Sequence, residues 1–328
     1  MKDLGIKKWF LKVNEMINEE RIFIDTDIKI GATISYQDKT IKRPLVLLIA
    51  GTGSMDRDGN SAALKTNIYK ELSDMFVEMG YVCIRYDKRG CHESKAPLST
   101  HTLNALVDDA ANIIHYAKNL DYIDGKKIVV CGHSEGAMIT TLLTKDESLD
   151  LRGIILLSGA AMSLKDAMVY QNYLLLEEVK DMKGILGWYL RKVLTKSKID
   201  SQINGIFDKA RKSKKDLLFY GGSIMPTDYI KQHEALTKED YIEMLKSYKG
   251  EILALTGKSD VQANYKLLES ISSLENITIS TPDHVNHLLR DVDSESNIMN
   301  LKKEYKLSIK KPISTKIKAS IKDWVNKL

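Results

Sequence analysis

The chain has little cysteine, little net charge and no long hydrophobic run. Its 3 cysteines are odd in number and unrelated in spacing, which predicts neither a disulfide framework nor a metal site. The net charge of +5, from 49 basic and 44 acidic residues, is too small to indicate a nucleic-acid partner. The first residues mix charged and apolar side chains, unlike a secretory signal, and no later stretch is long enough to span a membrane. We therefore expect a cytoplasmic protein without stable membrane insertion.

The residues that are present have the composition of an ordinary globular protein, 43% hydrophobic and 28% charged. Short apolar runs alternate with helical patterns, which predicts an α/β fold with a doubly wound, mostly parallel sheet. Strands over 21–25 and 28–36 suit an antiparallel pair leading into this sheet. The other predicted strands cover 45–50, 81–86, 128–131, 153–157, 252–256 and 277–280. Helices are predicted over 3–18, 64–79, 103–119 and 315–328, and directly after the strand at 128–131.

The motif that organises this pattern is Gly-His-Ser-Glu-Gly, between the strand 128–131 and a helix. Gly132 stands two residues before Ser134 and Gly136 two residues after it. A chain that reverses this tightly leaves no room for side chains at these positions. This G-x-S-x-G pattern predicts a nucleophile elbow, which exposes the serine above the sheet at a helix N-terminus. The alternative is an ordinary strand-to-helix turn. The elbow is favoured because strand, turn and helix occur in the required order.

A serine hydroxyl becomes a nucleophile when a histidine accepts its proton and a carboxylate fixes the tautomer of that histidine. In sheets with a serine elbow, the acid and then the histidine follow the serine along the chain. Two histidines, His284 and His287, satisfy this order and lie outside the long stretch between the strands 153–157 and 252–256. We expect His287, because it lies far enough beyond the strand 277–280 for a loop to return it to Ser134. His284 is the alternative.

Asp260 is the expected acid. It follows the buried strand 252–256, at the carboxyl end where sheets of this kind place their chemistry. Asp283 is the alternative, but it stands too close in sequence to both candidate histidines to face them across a loop.

The oxyanion formed during acyl attack requires two preorganised N–H donors. The residue after the nucleophile, Glu135, supplies one from the start of its helix. The other is expected from the glycine-rich loop 51–59, which follows a buried strand. Thr52 is the expected donor there, and Gly53 is the alternative.

The stretch 159–249 separates two predicted strands and is too long for a simple crossover. Its periodicity is helical over 170–179 and 185–194, and no strand is predicted in it. We expect a helical cap over Ser134, with basic residues between 183 and 215 forming a solvated face. A substrate or lipid surface is the alternative for its apolar stripe. The chain then divides into a first core segment, the cap and a second core segment, at 1–158, 159–249 and 250–328.

Together these residues resemble the α/β-hydrolase superfamily, and within it bacterial serine esterases related to the prolyl oligopeptidase and dienelactone hydrolase branches. The resemblance covers nearly the whole chain outside the insertion. It supports Asp260 as the acid and His287 as the histidine. It rests on the segments IGATI (30–34), AGTGSMDRDGN (50–60), YDKRG (86–90), GHSEG (132–136), LTGKSDVQ (255–262), VNHLLR (285–290) and IKDWVNKL (321–328).

Two positions depart from the family pattern. Ala50 stands where the family usually has a histidine, and His92, followed by Glu93, stands where a small residue is usual. We expect His92 to be a surface loop residue, with a titratable pair bordering the pocket as the alternative. Glu135 is expected to complement the helix N-terminus, with substrate contact as a secondary role. Asp56, Arg57 and Asp58 are expected to form an ion network that holds the oxyanion loop.

The resemblance implies a serine hydrolase that cleaves the carboxylic ester of a small or medium acyl substrate through an acyl-enzyme, without metal or cofactor. Ser134, Asp260 and His287 would be catalytic, and the N–H groups of Thr52 and Glu135 would bind the oxyanion. Alternatives are an acyl thioesterase or peptidase of the same fold, and a receptor-like binding protein with negligible turnover. The expected partner is a small-molecule acyl ester and no nucleic acid. Both a homodimer and a monomer agree with the sequence.

Overall fold

The computed structural model describes residues 17–293 and 296–328. The helix predicted over 3–18 lies outside these residues except for its last two positions, and there Asn18 already begins a strand. No helix in the described ranges is long and apolar enough to cross a membrane. The cytoplasmic location stays a prediction.

The strands of the described chain form one large sheet and one small hairpin. They are β1 (Asn18–Asp25), β2 (Lys29–Tyr36), β3 (Arg43–Ile49), β4 (Val82–Tyr86), β5 (Ile123–His133), β6 (Leu151–Leu157), β7 (Leu217–Tyr220), β8 (Ser223–Pro226), β9 (Glu251–Leu255) and β10 (Ile277–Ser280). The large sheet has the order β1-β2-β4-β3-β5-β6-β9-β10. β1 pairs with β2 and β2 pairs with β4 in antiparallel fashion, and all other neighbours in this sheet are parallel. The predicted mostly parallel sheet with an antiparallel entry is confirmed.

The helices cover both faces of this sheet. They are α1 (Ile68–Glu78), α2 (Leu103–Lys118), α3 (Glu135–Leu143), α4 (Leu164–Lys180), α5 (Gly184–Val193), α6 (Lys196–Lys212), α7 (Thr227–Glu234), α8 (Lys238–Ser247), α9 (Leu301–Ser308) and α10 (Thr315–Val325). On β3, Leu45 and Leu47 join a core with α2 and α3. Val46 and Leu48 join the core on the other face, with α1 and α10. The fold is therefore doubly wound, as predicted.

The central strand β5 shows why the sequence selects this sheet. Ile128, Val129 and Val130 are buried to 1% exposure or less, because both faces of the strand are covered by helices. Full burial of one such side chain stabilises a fold by about 1.5–3 kcal/mol relative to leaving it exposed. A polar side chain at any of these positions would lose this stabilisation, which explains why the strand is apolar on both faces.

The insertion between β6 and β9 contains five helices, α4 to α8, and the hairpin β7-β8 in the described chain. The prediction that it has no strands is wrong. The hairpin turns at Gly221 and Gly222, whose φ values of 58° and 84° fit a two-residue turn that glycine favours. Each strand has only four residues, too few for a clear alternation in the sequence.

Candidate active site

Ser134 lies on the tight turn between β5 and α3. Its φ of 56° and ψ of −121° are strained for a residue with a side chain. A Cβ on Gly132 would lie 2.0 Å from the carbonyl oxygen of Gly136, and one on Gly136 would lie 2.1 Å from the carbonyl oxygen of Ile49. Only glycine fits at either position. The two glycines of the motif thus let helix and strands approach closely while the serine is held at the turn.

Asp260 and His287 are brought together by the loops after β9 and β10. The Nδ1 atom of His287 lies 2.9 Å from Oδ2 and 3.1 Å from Oδ1 of Asp260. Oδ1 also accepts the N–H groups of Gln262 and Ala263, at 2.8 and 2.9 Å. Burial raises the pKa of Asp260, but His287 and these hydrogen bonds outweigh it, so the pKa lies below 3.8. The carboxylate is charged at neutral pH and accepts the Nδ1 proton of His287.

The alternative residues, His284 and Asp283, are not part of this buried pair. Both are exposed, and His284 has a φ of 59° on the same loop. Asp283 forms an ion pair with Lys258 at 2.8 Å and none with either histidine. The structure therefore brings Asp260, and not Asp283, to a histidine.

His133, inside the serine motif, supports the loop of His287. Its Nε2 lies 2.8 Å from the carbonyl oxygen of His287, and its Nδ1 lies 3.1 Å from the hydroxyl of Tyr69. Burial, and then the neighbouring His287, lower the pKa of His133 to about 3. The ring is therefore neutral at neutral pH. Nε2–H donates to the carbonyl of His287, and Nδ1 accepts the Tyr69 hydroxyl proton. Sequence reasoning missed both supporting residues.

Tyr69 also decides which N–H groups of the glycine-rich loop are available. Its hydroxyl oxygen accepts the N–H of Gly51 at 2.8 Å. A Cβ on Gly51 would lie 3.0 Å from the Cβ of Ser134, so this loop lies directly beside the serine. The N–H of Thr52 has no hydrogen-bond partner among the described residues. Thr52 lines the cavity at Ser134, whereas Gly53 does not.

Ser134 and His287 line one cavity of about 230 Å³. No hydrogen bond joins the Ser134 hydroxyl to the His287 ring in the described part of the chain. Such bonds are often long in unliganded enzymes and tighten with substrate. The cavity's described lining contains no Lys, Arg, Asp or Glu. Its larger side chains are Met55, Leu64, Ile68, Tyr69, Gln262, Leu288 and Tyr305.

Glu135 was expected to complement the helix N-terminus, but its side chain has a more specific environment. It is 3% exposed, and its Oε2 lies 2.7 Å from Nζ of Lys88. Its Oε1 accepts the hydroxyl of Tyr229 and lies 3.8 Å from Nε2 of His233, both on α7 of the insertion. Burial raises the pKa of Glu135, but Lys88 and His233 bring it below 4.5. Glu135 therefore connects the elbow, the loop after β4 and the insertion through a charged carboxylate.

The insertion also contacts the loop of the acid. The Tyr170 hydroxyl donates to the carbonyl oxygen of Asp260 at 3.3 Å, and Gln171 Nε2 donates to that of Gln262 at 3.1 Å. Described residues of α4 thus lie against the loop that carries Asp260, and those of α7 lie against Glu135 at the start of α3. The cavity at Ser134 is itself lined by core residues.

Two of the three charged residues of the glycine-rich loop, Arg57 and Asp58, form ion pairs as predicted. Asp56 instead accepts the N–H groups of Asp58 and Asn60, at 3.0 and 2.7 Å, and has no ion pair among the described residues. Arg57 pairs with Asp87 at 2.7 Å and with Glu93. Asp58 pairs with Arg85 at 2.6 Å. His92 is exposed and lines a charged cleft that is separate from the cavity at Ser134. The surface interpretation of His92 agrees with this placement.

An elbow serine at the carboxyl end of a parallel sheet, followed in sequence by an acid and a histidine, defines the α/β-hydrolases. Within this class the chain belongs to the family described as serine aminopeptidase S33, whose model matches residues 62–277. The predicted superfamily is confirmed. The match names neither the prolyl oligopeptidase nor the dienelactone hydrolase branch, so the branch stays a prediction.

Curated relatives include two bacterial proteins. Esterase EstD of Thermotoga maritima is 24% identical over an alignment of 262 residues that covers 77% of this chain and 56% of EstD. The quorum-quenching protein AidA of Acinetobacter baumannii is 26% identical over 115 residues, 35% of each chain. The chain therefore spans about half of EstD and about a third of AidA.

Solved structures of similar fold include Est1E from Butyrivibrio proteoclasticus with bound ferulic acid, with a TM-score of 0.56 and 19% identity. That match covers 87% of this chain and 96% of Est1E. The mouse alpha/beta hydrolase domain-containing protein 10 has a TM-score of 0.54 and 13% identity, over 94% of this chain and 99% of that one. At these identities the likeness concerns the fold.

Proposed function

We propose that this protein is a serine hydrolase that cleaves the carboxylic ester of a small or medium acyl substrate through an acyl-enzyme. The observation that carries the proposal is the buried Asp260–His287 pair, whose histidine lines the same cavity as a strained serine. The name of the relative EstD supports an ester as the substrate.

The proposed reaction begins when the Ser134 oxygen attacks the ester carbonyl carbon and His287 accepts the hydroxyl proton. The negative charge that develops on the carbonyl oxygen is bound by the N–H groups of Thr52 and Glu135. Asp260 stabilises the imidazolium of His287, which then donates its proton to the leaving alcohol. A water molecule, deprotonated by His287, attacks the remaining acyl-enzyme. The carboxylic acid leaves and the Ser134 hydroxyl is restored.

The cavity favours a small, uncharged acyl group. Its volume of about 230 Å³ lies below the range of about 300–1,000 Å³ that is usual for pockets of drug-sized ligands. Apolar side chains such as Leu64, Ile68 and Leu288 line it. An aminopeptidase would need a carboxylate near the substrate's ammonium group, and none of the residues described at this cavity supplies one. An ester is therefore favoured over the free amino terminus of a peptide.

Initial rates on nitrophenyl esters of increasing acyl length, with an alanine nitroanilide and a thioester beside them, test the proposal. We expect the highest kcat/KM for short acyl esters and loss of turnover in Ser134→Ala. Faster cleavage of the nitroanilide would favour a peptidase, and faster cleavage of the thioester a thioesterase. Absence of turnover on every substrate would favour a binding protein.

A further inference from the structure

Helix α5 exposes an unusual amount of apolar surface. Ile185 is 86% exposed, and Leu186, Trp188 and Tyr189 are between 54% and 57% exposed. Because each residue of a helix turns by 100°, these four side chains project from the same face of α5. Gly187, on the opposite side, is buried, and Leu190 is half-buried. The more apolar face of this short helix thus points to solvent, which is the reverse of an ordinary surface helix.

Basic residues lie close to this face along the chain. Lys183, Lys192, Lys196 and Lys198 are exposed, and none of them pairs with a carboxylate in the described ranges of the chain. Lys192 lies over the ring of Trp188, with Nζ 4.0 Å from the ring centre. The stretch 183–215 carries 10 basic and 2 acidic residues. The exposed apolar face therefore belongs to a segment with a strong excess of basic residues.

We propose that α5 is a docking helix for an anionic lipid surface. Helices that combine Trp, Ile and Leu on one face with flanking lysines lie in the interface of a bilayer, with the apolar side chains among the acyl chains. Lysines at the edge then meet the lipid phosphates and carboxylates. The partner is a membrane surface that contains phosphatidylserine or a similar anionic lipid. The contact is peripheral and involves no helix that crosses the bilayer.

The charge and the apolar side chains of α5 together favour an anionic bilayer over a second copy of the chain or a nucleic acid. A second copy of the chain, packed face to face through α5, would bring the unpaired lysines of both copies together. A nucleic acid would satisfy the lysines but would leave Ile185 and Leu186 in water, because its phosphates contact charges rather than apolar side chains. An anionic bilayer satisfies both the charge and the apolar face. This inference does not depend on the proposed reaction.

Co-sedimentation of the full chain with vesicles tests it. We expect binding to phosphatidylcholine vesicles that contain phosphatidylserine, weaker binding at high salt, and little binding to phosphatidylcholine alone. The double variant Ile185→Ser/Trp188→Ser is expected to lower the partition coefficient by more than about tenfold. Phe23→Ser/Ile41→Ser, which alters two exposed apolar residues at 56% and 52% exposure outside the insertion, should bind like the wild type.

The charges are tested separately. Lys183→Glu/Lys192→Glu should weaken binding by more than about tenfold, since one basic residue near an anionic surface contributes about fivefold. Lys126→Glu/Lys322→Glu changes the net charge equally at two exposed positions away from α5 and should have a small effect. Circular dichroism establishes that each variant is folded.

Three results would overturn the proposal. One is equal binding of wild type and the α5 variants to anionic vesicles. Another is no binding of the wild type to any vesicle. The third is a wild-type dimer in analytical ultracentrifugation that becomes a monomer in Ile185→Ser/Trp188→Ser, which would assign the face to a second copy.

Discussion

His284 and His287 stand on one loop, three positions apart, and differ in every property that matters for catalysis. His287 is 7% exposed and contacts Asp260, whereas His284 is exposed and has a positive φ. A general base must be oriented by a second group so that one ring nitrogen is free to accept a proton. His287 alone of the two meets this condition.

Replacing each histidine by alanine separates their roles. We expect His287→Ala to lower kcat on a nitrophenyl ester by at least about 10⁴-fold, since the hydroxyl of Ser134 loses its base. His284→Ala, the matched change on the same loop, should stay within about tenfold of the wild type. Equal losses in the two variants, or a larger loss in His284→Ala, would contradict the assignment.

The order of residues along the chain was enough to propose Ser134, Asp260 and His287, because the elbow motif and the order of the triad are local or one-dimensional signals. The same information could not reveal Tyr69 or His133 as supports. Their contacts join α1, the elbow and the loop after β10, segments that become neighbours only in the folded sheet. The position of His133 inside the motif gave no signal, since any residue can stand between the glycine and the serine.

Among the elements, the insertion contacts the core at Glu135, which also forms a buried ion pair within the core. Glu135 on α3 contacts Lys88 after β4 and Tyr229 on α7. Both charged side chains are almost completely buried. Removing one partner of a buried pair leaves an unpaired charge in a low-dielectric interior, which is much more costly than removing an exposed pair.

Glu135→Gln tests this connection. We expect the free energy of unfolding at neutral pH to fall by about 3–5 kcal/mol, because Lys88 keeps its charge without a partner. Glu177→Gln, which removes an exposed pair with Lys180, should change it by less than about 1 kcal/mol. Urea unfolding measures both values.

The pH dependence follows from the pKa of Glu135, which is lower in the folded chain than the ordinary value of 4.5. The folded state therefore binds fewer protons, and the stabilisation is fully present above the unfolded pKa. It is lost as pH falls through the folded pKa. The difference between wild type and Glu135→Gln should shrink below pH 4.5. A difference that stays constant on acidification would contradict the role of the charge.

The existence of most elements could be predicted because buried strands and amphipathic helices carry strong periodicity. The hairpin β7-β8 could not, since its strands are short and only Leu218 on β7 is fully buried. The Gly221-Gly222 pair was an available turn signal. The contact of α7 with Glu135 had no local signal, because it joins residues 94 positions apart.

Across the molecule, the three residues of the proposed triad lie at the same edge of the sheet. Ser134 follows β5, Asp260 follows β9 and His287 follows β10, and parallel strands place their carboxyl ends together. The glycine-rich loop after β3 arrives at the same edge. The common edge could be predicted from the alternation of strands and helices along the chain, which indicates parallel strands. The shape and lining of the cavity could not, because they depend on side chains from several loops.

The proposed reaction depends above all on Ser134 as the nucleophile. Labelling with a fluorophosphonate, followed by intact mass and peptide mass spectrometry, tests it most directly, because the reagent phosphonylates an activated serine and releases fluoride. We predict one phosphonyl group per chain, located on Ser134, and an unlabelled but folded Ser134→Ala variant. Labelling that persists in Ser134→Ala, or that maps to another residue of the wild type, would contradict the claim.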